Sequence, residues 1–149
     1  MVDAKIIDAL AARLETQPSL NARLLLLDPN SPFAEARARQ LGTIPDEFVR
    51  TMTAGIEMTR QQLRRFANQC RIAVFDEPPT EISIIVDDVV FHSVFTAHQP
   101  SRHNPVIALP LHAHKARESF FKHMNLVWER SRPLDGKATG FFLKDTPGA

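Results

Sequence analysis

The chain has 149 residues, 44% of them apolar and 23% charged, with a formal net charge of +1. A chain of this length buries roughly 70% of the surface its unfolded form exposes, so one domain with a real core is expected rather than a disordered chain or a small disulfide scaffold. The near-neutral charge gives no electrostatic case for nucleic acid or a membrane surface, no stretch approaches the roughly 18 apolar residues of a membrane span, and the lone Cys70 excludes an intrachain disulfide and a Cys-only zinc site.

Residues 3–16 place Ile6, Ile7, Leu10 and Leu14 three and four apart, a helical stripe that Pro18 ends. Residues 20–27 close on an unbroken run of leucines, which suits a strand buried on both faces as in a parallel sheet; periodicity alone also allows a helix. Asp28-Pro29-Asn30-Ser31-Pro32 stops the run with turn chemistry. Ser31-Pro32 reads as a helix N-cap followed by proline at the first helical position, opening a short helix to about Leu41 that ends at Gly42. A second start follows near Pro45, with Asp46 and Glu47 suited to the positive end of the helix dipole. Phe48, Met52, Ile56, Leu63, Phe66 and Cys70 then trace one side of a long helix to about Gln69, with Arg50, Glu57, Arg60 and Arg64 on its polar side. The basic group Arg60, Arg64 and Arg65 is accordingly a solvated helix face.

Residues 71–76 read as a second strand, and a strand–helices–strand crossover sets its two strands parallel. Two β-rich runs within residues 79–96 meet at Asp87-Asp88 and predict a hairpin. After a polar loop closed by Pro105, Val106-Ile107-Ala108-Leu109 begins another strand. Residues 115–131 form the last helix, with Ala116, Phe120, Met124 and Val127 on one stripe and Phe121 and Trp128 beside it. The organisation is thus an N-terminal helix over residues 1–18, an α/β domain over 19–134, and a tail over 135–149 expected to order only locally. The N-terminus lacks the apolar stretch of a secretory signal; with the lone thiol, this points to a reducing, cytoplasmic location.

Several residues could carry chemistry. The Asp28–Ser31 loop follows a parallel strand and opens a helix, the edge where ligands of open α/β sheets bind. Asp28, Asn30 and Ser31 are therefore candidate ligand contacts, although turn and capping roles suit them better, and Asp28 would repel a phosphate. Arg102, in the polar loop, could add an anion contact or be simply solvated. His112 and His114 lie two apart and would share one face of a strand; with His98 or His103 they could make a zinc-type site. The competing reading is a strand end with exposed or capping histidines. Asp87 and Asp88 serve turn geometry, and the set Phe91, Phe95, Phe120, Phe121 and Trp128 suits a core or an interface.

The segment Asn21 to Ala34, Asn-Ala-Arg-Leu-Leu-Leu-Leu-Asp-Pro-Asn-Ser-Pro-Phe-Ala, resembles the opening strand and loop of a small domain found in many bacterial regulators, often downstream of a helix-turn-helix. Phe75-Asp76-Glu77-Pro78-Pro79, the Asp87-Asp88 hairpin, Pro105-Val106, and Phe120 with Trp128-Glu129 follow in matching order, so the resemblance spans residues 20–134. That domain looks like a degenerate half of the phospholipase-D-like fold. Active members of the fold use a His nucleophile and a Lys in a His-x-Lys pattern with a downstream Asp, and covalent catalysis fails without the nucleophile. Aligned on Asp87, the pattern puts Thr80 in the His position and Ile82 in the Lys position, and no His-x-Lys occurs anywhere in the chain.

The resemblance implies an α/β single domain, a mixed sheet of about five strands flanked by helices, with half-domain topology. Active members unite two halves across a pseudo-twofold, which implies a homodimer here, the commonest assembly in any case; the first helix is an added candidate for the interface. The expected function is a non-catalytic ligand-sensing or protein-interaction module of a regulatory system, with no cofactor, working through a small-molecule ligand or a regulatory protein. The chain has no room for a separate DNA-binding domain, so an effect on transcription would need a partner. The second expectation is a metal-dependent hydrolase or nuclease built on His98, His103, His112 and His114.

Overall fold

The structure, a computed structural model, describes residues 4–86, 89–96, 100, 103–110 and 114–134. The first helix, α1 (Ala4–Thr16), buries Ile7, Ala11 and Leu14, spaced four and three apart, while Ile6 of the expected stripe is exposed. Strand β1 (Ala22–Leu27) follows, then α2 (Pro32–Gln40), α3 (Pro45–Leu63) with a 3-10 turn at Arg64–Phe66, and β2 (Cys70–Phe75). The two strands pair in parallel from Ala22↔Cys70 to Leu27↔Phe75, as the crossover requires.

Local chemistry accounts for both helix boundaries of α2. Ser31 takes an extended conformation and its Oγ accepts the Phe33 N–H at 3.0 Å, with Pro32 in the first turn. At the other end Gly42 has φ 66°, Gly42 N–H donates to the Arg39 carbonyl, and Thr43 N–H donates to the Ala38 carbonyl. This is the paired closure that a left-handed glycine permits. Helix α3 carries Asp46 and Glu47 in its first turn, where the dipole favours them.

Three expectations change along this half. Helix α3 ends at Leu63 rather than near Gln69, because the chain tightens into the 3-10 turn and swings into β2. Cys70 is therefore the first residue of a strand, not the end of a helical stripe. Strand β1 is half-buried along its whole length rather than buried on both faces, since it forms the edge of its sheet; β2 takes the buried central place. The core joins Ile7, Ala11 and Leu14 of α1 to Leu63, Phe66, Cys70 and Ile72. Gln62 donates to Asp8, and Arg65 pairs with Glu15 at 3.3 Å, which ties α1 to α3 across its rim. The stripe of α1 is thus spent inside the chain, which removes the reason for making it an interface element.

The second half departs further from expectation. Strands β3 (Glu81–Val86), β4 (Val89–Val94) and β5 (Ile107–Pro110) form an antiparallel meander of their own. The β3–β4 register closes on Val86↔Val89, so a two-residue connection joins them as the hairpin pattern predicts; Asp87 and Asp88 themselves lie outside the described residues. Helix α4 (His114–Arg130) leads into β6 (Arg132–Pro133), which pairs antiparallel with β2 at Ala73 and Val74. The described strands therefore make two three-stranded sheets, β1-β2-β6 and β3-β4-β5, in place of one mixed sheet of about five. The reason is positional. β6 occupies the side of β2 opposite β1 at Ala73 and Val74, and Leu134 N–H continues that pairing to the Ile72 carbonyl at 3.0 Å.

Side chains join the two sheets. Arg37 of α2 is 6% exposed, lies over the Phe95 ring at 4.6 Å, and donates to the Thr96 carbonyl at 3.0 Å. Burial pulls its guanidinium below the ordinary arginine value. Helix α4 touches both sheets: Asn125 accepts from Arg23 of β1, whose guanidinium also lies over Trp128, and Phe120 meets His92 of β4 edge-on.

Candidate functional site

The parallel pair β1 and β2 ends in an open cleft of about 240 Å³. Its apolar lining comes from Ile56 of α3, Val74 of β2 and Leu134 beyond β6. Its polar lining is Asp28 and Asn30 from the loop after β1, Thr53, Glu57 and Arg60 from α3, and Arg132 from β6. The position is the one that open α/β sheets reserve for ligands, beyond the carboxyl ends of parallel strands.

Asp28 organises this edge. Its N–H donates to the Phe75 carbonyl at 2.9 Å, extending the β1–β2 pairing by one bond. Its Oδ1 accepts the Asn30 N–H at 3.0 Å and its carbonyl accepts the Ser31 N–H at 3.0 Å, a side-chain-closed turn. Its Oδ2 accepts from Arg132 Nη2 at 2.7 Å, joining residues 104 apart in sequence. Burial pushes the Asp28 carboxyl upward, but the hydrogen bonds from Arg132 and Asn30 and the arginine charge outweigh it, and the carboxyl lies below its ordinary value. On α3, Arg60 pairs with Glu57 at 3.1 Å. The cleft thus carries two guanidinium and two carboxylate groups, balanced in charge and fixed by hydrogen bonds.

The structure sorts the expected ligand contacts. Asp28 and Asn30 line the cleft. Ser31 is buried beside it with its hydroxyl engaged as the α2 cap, so its role is structural. Arg102 lies outside the described residues. Of the histidines, His98 and His112 also lie outside them, His114 opens α4, and His103 is exposed with its N–H donating to the Pro100 carbonyl at 3.0 Å. Among the described residues no group of three or more His, Cys, Asp or Glu could hold a metal ion.

Sequence reasoning missed Glu57, Arg60 and Arg132 as cleft residues. The first two look like any i,i+3 surface pair of a solvated helix face, and Arg132 belongs to a strand too short to show a period. Sequence reasoning also missed the cross-strand contact of Ser83 Oγ with His92 Nδ1 at 3.1 Å, which the hairpin register explains by setting the two residues opposite each other. Among the described residues no helix is long and apolar enough to cross a membrane. Comparison with protein-family models, with curated proteins and with solved structures finds no match to this chain.

Proposed function

We propose that this protein is a non-catalytic ligand-sensing module of a regulatory system, built on a scaffold resembling a phospholipase-D-like half domain, and that a small polar molecule occupies the cleft at the ends of β1 and β2. The observation that carries the reading is the pairing of Asp28 with Arg132 across that strand edge, beside Glu57 and Arg60. Fixed charges of both signs around an apolar lining suit recognition of a compact ligand that offers an anionic group and a hydrogen-bond donor. The positions that would carry His and Lys by the family pattern hold Thr80 and Ile82, which supports a cleft that orients a ligand over one that cleaves a phosphodiester. Thr80 gives its backbone carbonyl to Phe95 N–H, and Ile82 is a half-buried strand residue opposite Ser93.

In this reading the module works in the cytoplasm as a homodimer and passes ligand occupancy to a partner regulatory protein. Nucleic acid is an unsuitable ligand for a chain of net charge +1. Native mass spectrometry of the purified chain tests the proposal, followed by calorimetric titration with amino acids, carboxylates, nucleotides and sugar phosphates. One class should bind, with affinity lowered about tenfold or more in Arg132→Ala and in Arg60→Ala. Phosphodiesterase turnover, or binding indifferent to both arginines, would overturn it.

A further inference from the structure

The meander β3-β4-β5 ends on a strand with nothing beyond it among the described residues. Every residue of β5 is exposed, Ile107 to 56% and Leu109 to 39%, and Val106 before it to 61%. An edge strand presents a row of unpaired backbone groups, which proteins usually blunt with lysines, bulges or a covering element. β5 carries no charged residue at all; it is bracketed by Pro105 and Pro110.

The ladder decides which backbone groups face outward. Phe95 N–H donates to the Thr80 carbonyl at 2.9 Å, one step beyond the Glu81↔Val94 pair. Odd-numbered residues of β4 therefore spend their groups on β3. The Val94 carbonyl accepts from Asn104 Nδ2 at 2.8 Å, on the opposite side, as alternation demands. Val90 and His92 then turn their groups toward β5, where Leu109 and Ile107 stand opposite them. Ala108 and Pro110 stand opposite Phe91 and Val89, so their groups point to the open edge. Pro110, which has no N–H, sits where the bond pattern with β4 needs none.

We infer that this edge is a homodimer interface in which β5 pairs antiparallel with β5 of a second copy, across a twofold axis through Ala108. In that register each Ala108 exchanges N–H···O=C bonds with the partner's Ala108. Val106, two residues back, donates its N–H to the carbonyl of the partner's Pro110. The outward row is thus complementary to itself, and because the strand is uncharged the twofold opposes no like charges. Pairing also sets Ile107 and Leu109, which share one face by alternation and are left exposed in the single chain, beside Leu109 and Ile107 of the second copy. The prolines stop the pairing at both ends, so the contact closes as a dimer rather than a fibre. A short strand pair with its flanking side chains buries less than the ~800 Å² per partner of a standard interface, which places the contact in the weak, concentration-dependent class. The inference rests on the homodimer of the proposed function for its occupant and is separate from the ligand in the cleft.

Sedimentation equilibrium of the intact chain from about 1 to about 200 μM tests it. A monomer–dimer equilibrium is expected. Ala108→Pro removes the outward N–H while sparing the bonds of Ile107 and Leu109 to β4, and Ile107→Lys sets like charges across the axis at a position the monomer leaves exposed. Each should weaken the dimer about tenfold or more with an unchanged thermal melt. Ala108→Cys should be captured as a covalent dimer by a short thiol-to-thiol crosslinking reagent, since facing residues of such a pair lie about 5.5 Å apart at Cα and the native Cys70 is buried. If Ala108→Pro does not fold, Ile107→Lys and the cysteine variant decide. A monomer at every concentration overturns both the homodimer and this surface, while leaving the cleft testable by titration. A dimer untouched by the lysine and uncrosslinked through residue 108 overturns the surface alone.

Discussion

Replacing Asp28 by Asn separates the two jobs of its carboxylate. The asparagine Oδ1 still accepts the Asn30 N–H and keeps the turn, but the charge facing Arg132 is gone. A hydrogen bond to a charged group contributes about 1.5–3 kcal/mol, and an exposed ion pair only about 0.2–1 kcal/mol. Here the Asp28 side chain is 14% exposed and that of Arg132 61%. One shielded and one solvated partner put the pair at about 1 kcal/mol after screening, or about 3 °C in Tm for a domain of this size. Asp28→Ala loses the turn as well and should cost about 2 kcal/mol. Urea unfolding of Asp28→Asn, Arg132→Met and the double variant gives the coupling directly.

The pH dependence follows from the same carboxylate. Its folded pKa lies below its ordinary value, which for an unfolded aspartate is about 3.9. Between the folded and unfolded values the unfolded chain binds more protons, so stability rises with pH. The contribution is complete above the unfolded value and is lost as pH falls through the folded one. The gap between wild type and Asp28→Asn should therefore stand at neutral pH and close in acid. A coupling below about 0.3 kcal/mol, or a gap unchanged in acid, would refute the account of this pair.

Three further outcomes are expected. Gly42→Ala should cost about 1 kcal/mol by thermal unfolding, purely from its positive φ, since an added Cβ meets nothing within 4 Å. Ser31→Ala should cost about 1 kcal/mol through loss of the α2 cap, while leaving ligand affinity in the cleft unchanged, because its hydroxyl is already engaged by Phe33 N–H. Ser93→Ala should be neutral or stabilising in a melt, since the buried Ser93 hydroxyl has no hydrogen-bond partner among the described residues and removing it ends an unmet desolvation cost.

What the sequence revealed is what short-range physics controls. Ser31-Pro32 and Gly42 marked both ends of α2 because capping and left-handed backbone are properties of one or two residues. The stop at Asp28, the helix start at Pro45, and the two-residue link between β3 and β4 were readable for the same reason. The cleft was half readable: Asp28 and Asn30 follow a recognisable parallel strand, so the ligand edge could be placed without knowing its other wall. Serine at position 31 illustrates the limit, since a capping residue and a ligand contact have the same identity and differ only in which atom the hydroxyl meets.

The α/β class, the parallel β1–β2 pair, the hairpin and four helices close to their observed positions are all encoded locally, because side-chain period and turn chemistry act within a few residues. Tertiary structure alone decided that the strands divide into two sheets. It also decided that α1 completes the core and that Arg132 meets Asp28 from 104 residues away. β6 is the hinge of that difference. Its two residues carry no pattern of their own, yet by pairing with β2 they occupy the side of that strand opposite β1 and bring the arginine to the cleft. Such pairing depends on which surfaces remain uncovered once the rest of the chain has packed, and no local signal encodes that.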